Sequence, residues 1–190
     1  ADAIVNPKQK ECTYPFSKLC GAGVTFKLSQ VLYRHYGIEE TNLKPLIEYA
    51  SIATVADVMD LEDENRILVK CGLEMLKHTN NKGLRAILEV NNLLDRDIKA
   101  YHIGFIIGPC FNAAGRLETV KAALDLLMCQ DDREANIMAS DLKALNESRK
   151  EMTRKGEEQA ITLIEESDII NDKILLVKLQ DCHESLVGII

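Results

Sequence analysis

Ser51-Ile52-Ala53-Thr54-Val55-Ala56-Asp57-Val58-Met59 sets one carboxylate inside a run of otherwise apolar or small residues. Withdrawing an unpaired charge from water is strongly unfavourable, so Asp57 is expected to have a partner. Two kinds fit. Asp57 either caps a helix or ends a strand at the surface, or it ligates a hard divalent ion, which prefers carboxylate oxygens. Upstream, Leu46, Ile47 and Ala50 read as a helix leading into this stretch, with Pro45 acceptable in its first turn.

Outward from there the chain is patterned mainly as helices. Before it, Gly21-Ala22-Gly23 opens a helix over residues 24–36 with Val24, Leu28, Val31 and Leu32 at three- and four-residue intervals. The Gly-x-Gly suits either a phosphate cradled at a helix N-terminus or tight helix packing. After it come helices over 65–78, 83–90 and 97–107, the last with Ile98, Tyr101, Phe105 and Ile106 inward. A further helix over 120–128 is capped by Thr119. Residues 133–166 carry a narrow seam of Ala135, Met138, Leu142, Leu145 and Met152, which predicts a long connector exposed on most of its circumference. Strands are expected at the start, where Asn6-Pro7 ends Ala3-Ile4-Val5, and over 173–179.

A second informative stretch is Gly108-Pro109-Cys110-Phe111-Asn112-Ala113-Ala114-Gly115-Arg116-Leu117. Its small residues permit close backbone approach, while Asn112 and Arg116, four apart, share a helix side. Arg116 suits bidentate phosphate binding or an ion pair with a surface acid. Lys143, Lys150 and Arg154 share one side of the long helix and either line a strand-binding groove or form a salt-bridged solvated face with Glu147 and Glu151. His183 follows the second expected strand, as a ligand-facing or a structural residue.

Bulk composition narrows the classes. Hydrophobic residues are 46% and charged residues 28%, so the chain is globular rather than disordered. With 5% aromatics and no Trp, the core is aliphatic, which suits packed helices. A net charge of −7 gives no general attraction to nucleic-acid phosphates, so such binding needs local basic residues. The six cysteines form no C-x-x-C pair, which argues against a zinc knuckle and for reduced thiols in a cytoplasmic setting. No run approaches the roughly 18 apolar residues of a membrane span. Ala1 in place of Met, and the apolar Val187-Gly188-Ile189-Ile190 at the other end, suggest an excised piece of a longer protein.

Taken together and in order, these stretches resemble the RecJ family of single-strand-specific DNA exonucleases, within the DHH phosphoesterase superfamily. Ala3-Ile4-Val5-Asn6-Pro7 is similar to the segment after the family's Asp-His-His motif, and Tyr14-Pro15-Phe16 with Gly21 to Leu28 to its Gly-rich helix start. Ala53-Thr54-Val55-Ala56-Asp57-Val58 with Glu64-Asn65-Arg66 resembles its fourth motif. Gly104-Phe105, Gly108-Pro109 and Asn112 to Leu117 resemble its fifth, and Cys182-His183-Glu184 with Val187-Gly188-Ile189 the opening of the DHH-associated domain. The family usually has Arg where this chain has Cys110, and Trp where it has Cys182.

The resemblance implies a helix-rich α/β fold in three parts: the C-terminal portion of a DHH catalytic domain over 1–130, the long connecting helix over 131–168, and the first strand of the DHH-associated domain over 169–190. It implies a cytoplasmic hydrolase of DNA repair and recombination that removes nucleotides from single-stranded DNA, 5′ to 3′, with two Mn²⁺ or Mg²⁺ ions. Asp57 would be the catalytic metal ligand, Asn112 and Arg116 would hold phosphate oxygens, and His183 would face the strand. Other repair proteins are possible partners. One aspartate cannot hold two ions, so these residues alone are expected to be inactive. Two alternatives are a superfamily member acting on short oligonucleotides or cyclic dinucleotides, and a non-catalytic helical module in which Asp57 and Arg116 pair.

Overall fold

A computed structural model describes residues 3–94, 96–180 and 182–190, so Ala1, Asp2, Asp95 and Asp181 lie outside the described residues. The elements are helices: α1 Gly21–His35, α2 Leu46–Ala56, α3 Asp63–Leu76, α4 Lys82–Val90, α5 Ala100–His102, α6 Gly108–Leu117, α7 Val120–Met128 and α8 Asp132–Glu165. A π turn, Ile103–Ile107, joins α5 to α6 without a break.

The opening stretch forms the most enclosed helix. Small and apolar residues all round α2 let it be buried on several sides, with Ala50, Ser51, Ile52 and Thr54 inside. Glycine notches hold it on two flanks. A methyl group at Gly72 of α3 would come within 2.2 Å of Ser51 Cβ, and one at Gly108 within 3.1 Å of Ala56 Cβ. The main core lies on the second flank, where Ile87, Ile103, Ile107, Leu126 and Ala139 are wholly buried. A smaller core of Phe16, Leu19, Phe26, Leu43, Ala50 and Leu68 ties α1 and the loop before it to α2 and α3.

Caps follow from the sequence. Asn81 accepts a hydrogen bond from Leu84 N–H (2.8 Å) and starts α4; Asp131 accepts from Glu134 N–H (2.8 Å) and starts α8. At 34 residues α8 is about 50 Å long. Ala135, Ala139, Leu142 and Asn146 pack inward, and beyond Asn146 the helix is largely exposed apart from Gly156. That glycine is a seat: a methyl group there would lie 2.4 Å from Ile190 Cδ1.

Three expectations change. No strand forms among the described residues, at 3–5 or at 173–179; a strand is held by a neighbour's N–H and C=O groups, and neither segment has one. The Leu28, Val31 and Leu32 face of α1 is 39–60% exposed, because periodicity marks the apolar side and not what covers it. Tyr101 and Phe105 point outward and Ile103 and Ile107 inward, because the π turn adds a residue and rotates the buried face.

Candidate metal and phosphate site

Helix α2 ends where its small-residue run ends, and Asp57 is the residue on which it stops. Met59 N–H donates to Thr54 O (3.0 Å) and Val58 N–H to Val55 O (3.1 Å), the paired bonds of a Schellman cap. The residue that turns left-handed is Val58, φ 53°, a place glycine usually fills and a β-branched side chain seldom does. This turn brings Asp57 out to the surface. The expected need for a partner therefore does not arise from burial: Asp57 is exposed, and its carboxylate makes no hydrogen bond or ion pair among the described residues. It also sits at the negative end of the α2 dipole with no basic residue in the last turn, an arrangement a cation relieves.

Asp57 opens onto a hollow of about 310 Å³. Ala53 and Ala56 of α2 form one wall, Gly108, Phe111 and Asn112 of α6 another, and Ala22 of the first turn of α1 a third. Cys20 precedes α1 without a side-chain cap and the first turn carries no acid, so its amide groups are left for another acceptor. Asn112 is exposed and has no hydrogen-bond partner among the described residues. A carboxylate for a cation and a helix N-terminus for an anion thus share one opening.

Arg116 goes elsewhere. Its Nη1 donates to Ser185 O (2.7 Å), and Ser185 Oγ donates back to Arg116 O (2.8 Å). His183 Nδ1 accepts from Ser185 N–H (3.3 Å) and bonds its hydroxyl (2.7 Å), capping the 3₁₀ turn Glu184–Ile189. Arg116 and His183 therefore meet at Ser185, and Arg116, though on the same helix as Asn112, is apart from it in hydrogen bonding.

Lys143 Nζ donates to Val90 O (2.5 Å) at the end of α4, while Lys150 pairs with Glu147 and Arg154 with Glu151 and Glu158. Cys110 is buried beneath α8, with the Asn91 and Asn146 amides 3.9 and 3.8 Å from its sulfur, and burial pushes its thiol pKa up. It is a core residue, and no phosphate contact is available from it. Glu64, from the stretch likened to the fourth motif, is structural: burial works against its charge, but bonds from Lys27 and Tyr14 hold its carboxyl below the usual range.

Sequence reasoning missed Ala22 as a wall of the hollow, the left-handed Val58 and the link through Ser185. The small residues Gly21-Ala22-Gly23 and Ala113-Ala114-Gly115 hinted at close approaches; nothing in the sequence signals Val58. Among the described residues no three His, Cys, Asp or Glu side chains cluster to hold a metal, and Asp57 offers a single carboxylate.

No family model matches the chain. It is 36% identical over 203 residues to the single-stranded-DNA-specific exonuclease RecJ of Dickeya dadantii, all of this chain and 35% of that one. Against RecJ of Bacillus subtilis it is 36% identical over 188 residues, 99% of this chain and 23% of that one. The crystal structure of Thermus thermophilus RecJ with Mn²⁺ superposes with a TM-score of 0.78 at 30% identity, covering 95% of this chain and 26% of the other. The chain is a RecJ-like segment. It spans about a third or less of the length of these RecJ relatives. Its helix-rich architecture is the one that such a segment has in the T. thermophilus enzyme, whose Mg²⁺ complex superposes equally well.

Proposed function

We propose that this chain forms one wall of the active centre of a RecJ-type exonuclease, which removes nucleotides from single-stranded DNA in the 5′ to 3′ direction with Mn²⁺ or Mg²⁺. The observation that carries this is the Asp57 carboxylate at the C-terminus of α2, without a partner among the described residues and opening onto the same hollow as the uncapped start of α1. The relatives' names and the metals in the solved RecJ structures support it.

The divalent ions, when bound, supply Lewis-acid activation of water and stabilisation of the leaving oxygen. Asp57 contributes one ligand. Amides of the first turn of α1 and the Asn112 side chain orient the non-bridging phosphate oxygens beside it. Arg116, fixed at Nη1 by Ser185, presents its remaining nitrogens to the strand; His183 holds the Ser185 turn that fixes it. Residues 1–130 are read as catalytic-domain, 131–168 as connector and 169–190 as the start of the DHH-associated domain. Lys143, Lys150 and Arg154 on the connector are weaker strand contacts, being already engaged. Among the described residues no helix is long and apolar enough to cross a membrane, and the enzyme is read as cytoplasmic, acting in DNA repair. The helical-module reading required an Asp57–Arg116 pair, and Arg116 instead bonds Ser185.

Replacing Asp57 by Ala in the full-length protein is the test. Hydrolysis of a labelled single strand should fall about 100-fold or more while thermal unfolding stays unchanged, because Asp57 is exposed and unpaired. Unchanged turnover refutes the reading. A wild-type enzyme that cuts dinucleotides but not long strands moves the substrate to short oligonucleotides.

A further inference from the structure

Asn81 stands behind the Asp57 hollow and bonds two of the residues that line it. Its Nδ2 donates to the Tyr49 hydroxyl on α2 (2.8 Å) and to Leu127 O at the end of α7 (2.8 Å), while its Oδ1 accepts from Leu84 N–H (2.8 Å). Tyr49 and Leu127 line the hollow and Asn81 does not. Capping α4 needs only Oδ1, which Ser, Thr or Asp would also supply. Both amide hydrogens are surplus to that task, and both go to the walls.

The two bonds tie one wall to another. Tyr49 lies eight residues before Asp57, about 12 Å along α2, so it and Leu127 bound the end of the hollow away from the carboxylate. Leu127 O is one of the carbonyls that the last turn of α7 leaves without an intrahelical partner, and Asn81 satisfies it. The turn that carries Asn81 is itself held on both sides. Thr79 Oγ1 donates to Glu48 Oε2 (2.9 Å), beside Tyr49 in the chain, and accepts from Asn81 N–H (3.2 Å). Gly83 packs so closely on α7 that a methyl group there would run into the Leu126 carbonyl. From that support the amide fixes how far Tyr49 stands from Leu127, and a shift of about 1 Å in a site wall is enough to cost roughly a hundredfold in rate.

We propose that Asn81 is a positioning residue for hydrolysis at Asp57: its amide sets the spacing of Tyr49 and Leu127, and through them the width of the hollow that seats the phosphate. This rests on the nuclease reading above. Asn81 acts through the two lining residues and touches no reacting atom.

The test is single-turnover cleavage of a saturating single strand by the full-length enzyme with Mn²⁺, below the melting transition of every variant. Asn81→Ser keeps a capping hydroxyl for Leu84 N–H but is too short to hold Tyr49 and Leu127 as well. Tyr49→Phe keeps the ring and removes one bond. The rate constant should fall about tenfold or more in Asn81→Ser and several-fold in Tyr49→Phe, with KM within about twofold of wild type. The double variant should be no slower than Asn81→Ser, because both changes remove the same bond. Gly37→Ala is the control: at φ 67°, beyond the end of α1 away from the hollow, it should lower the melting temperature and leave the rate constant unchanged. A wild-type rate constant in Asn81→Ser, or in Tyr49→Phe where Asn81→Ser does not fold, overturns the positioning role. So does an equal loss in Gly37→Ala, since rate would then follow stability. Wild type that degrades no single strand overturns the nuclease reading and the positioning role with it.

Discussion

The two ends of helix α6 differ in how their polar groups are engaged. At the start, Gly108 lies against α2 and Asn112 looks into the hollow beside Asp57, where neither side chain has a partner among the described residues. One turn further on, Arg116 exchanges two hydrogen bonds with Ser185, which His183 holds in turn. Arg116 is half-buried and spends Nη1 on the fold; Asp57 and Asn112 are exposed and, among the described residues, their side chains spend nothing internally. A polar group withdrawn from water is paired within the fold, whereas an exposed one stays open to water or to a ligand.

That contrast predicts opposite consequences for mutation. The largest effect belongs to Asp57→Ala, the loss of turnover described above with no change in melting temperature; a drop in stability instead would erase the distinction. Next is Gly108→Ala. Its methyl group would lie 2.9 Å from Ile103 O and 3.1 Å from Ala56 Cβ, so α6 and the end of α2 are pushed apart. We expect about 1–3 kcal/mol of destabilisation and, because positions separated by the hollow shift, roughly ten- to a hundredfold lower kcat, read by denaturant unfolding alongside single-turnover cleavage. Arg116→Ala adds a loss of stability that Asp57→Ala lacks. Removing a charged donor from a half-buried bond should cost about 1.5–3 kcal/mol in urea titration, and a fully stable variant would show that the Ser185 link is incidental. The smallest change is a gain: Val58→Gly relieves a left-handed valine worth about 1–2 kcal/mol, less roughly 0.5–1 kcal/mol of glycine entropy. A slightly higher melting temperature is expected, and a lower one would mean that the exposed valine is itself a contact.

Helix positions were legible because apolar spacing and capping residues are local properties. Asn81, Thr119 and Asp131 each start a helix where the sequence suggests a boundary. The opening stretch also identified its helix, though it overstated the burial of the carboxylate: the number of apolar neighbours along a chain does not say where a helix stops. What lies across space was not legible. The partner of Arg116 is 69 positions away, and the role of Gly156 depends on Ile190. The inward face of the 97–107 region was misread because a π turn alters phase without changing composition. Asp57, Asn112, Arg116 and His183 were singled out from their local sequence and from ordered motifs, and their division into an open pair and an engaged pair emerges only from hydrogen bonding.

The same π turn sets a limit on how this protein can be improved. Deleting one residue between Ile103 and Ile107 would convert the segment to regular α-helix, the more favourable backbone arrangement. It would also swing one half of the continuous helix by about 100° against the other. Either Ile103 would leave the core or the Asn112 amide would leave the hollow, so a tidier helix would be a poorer tool.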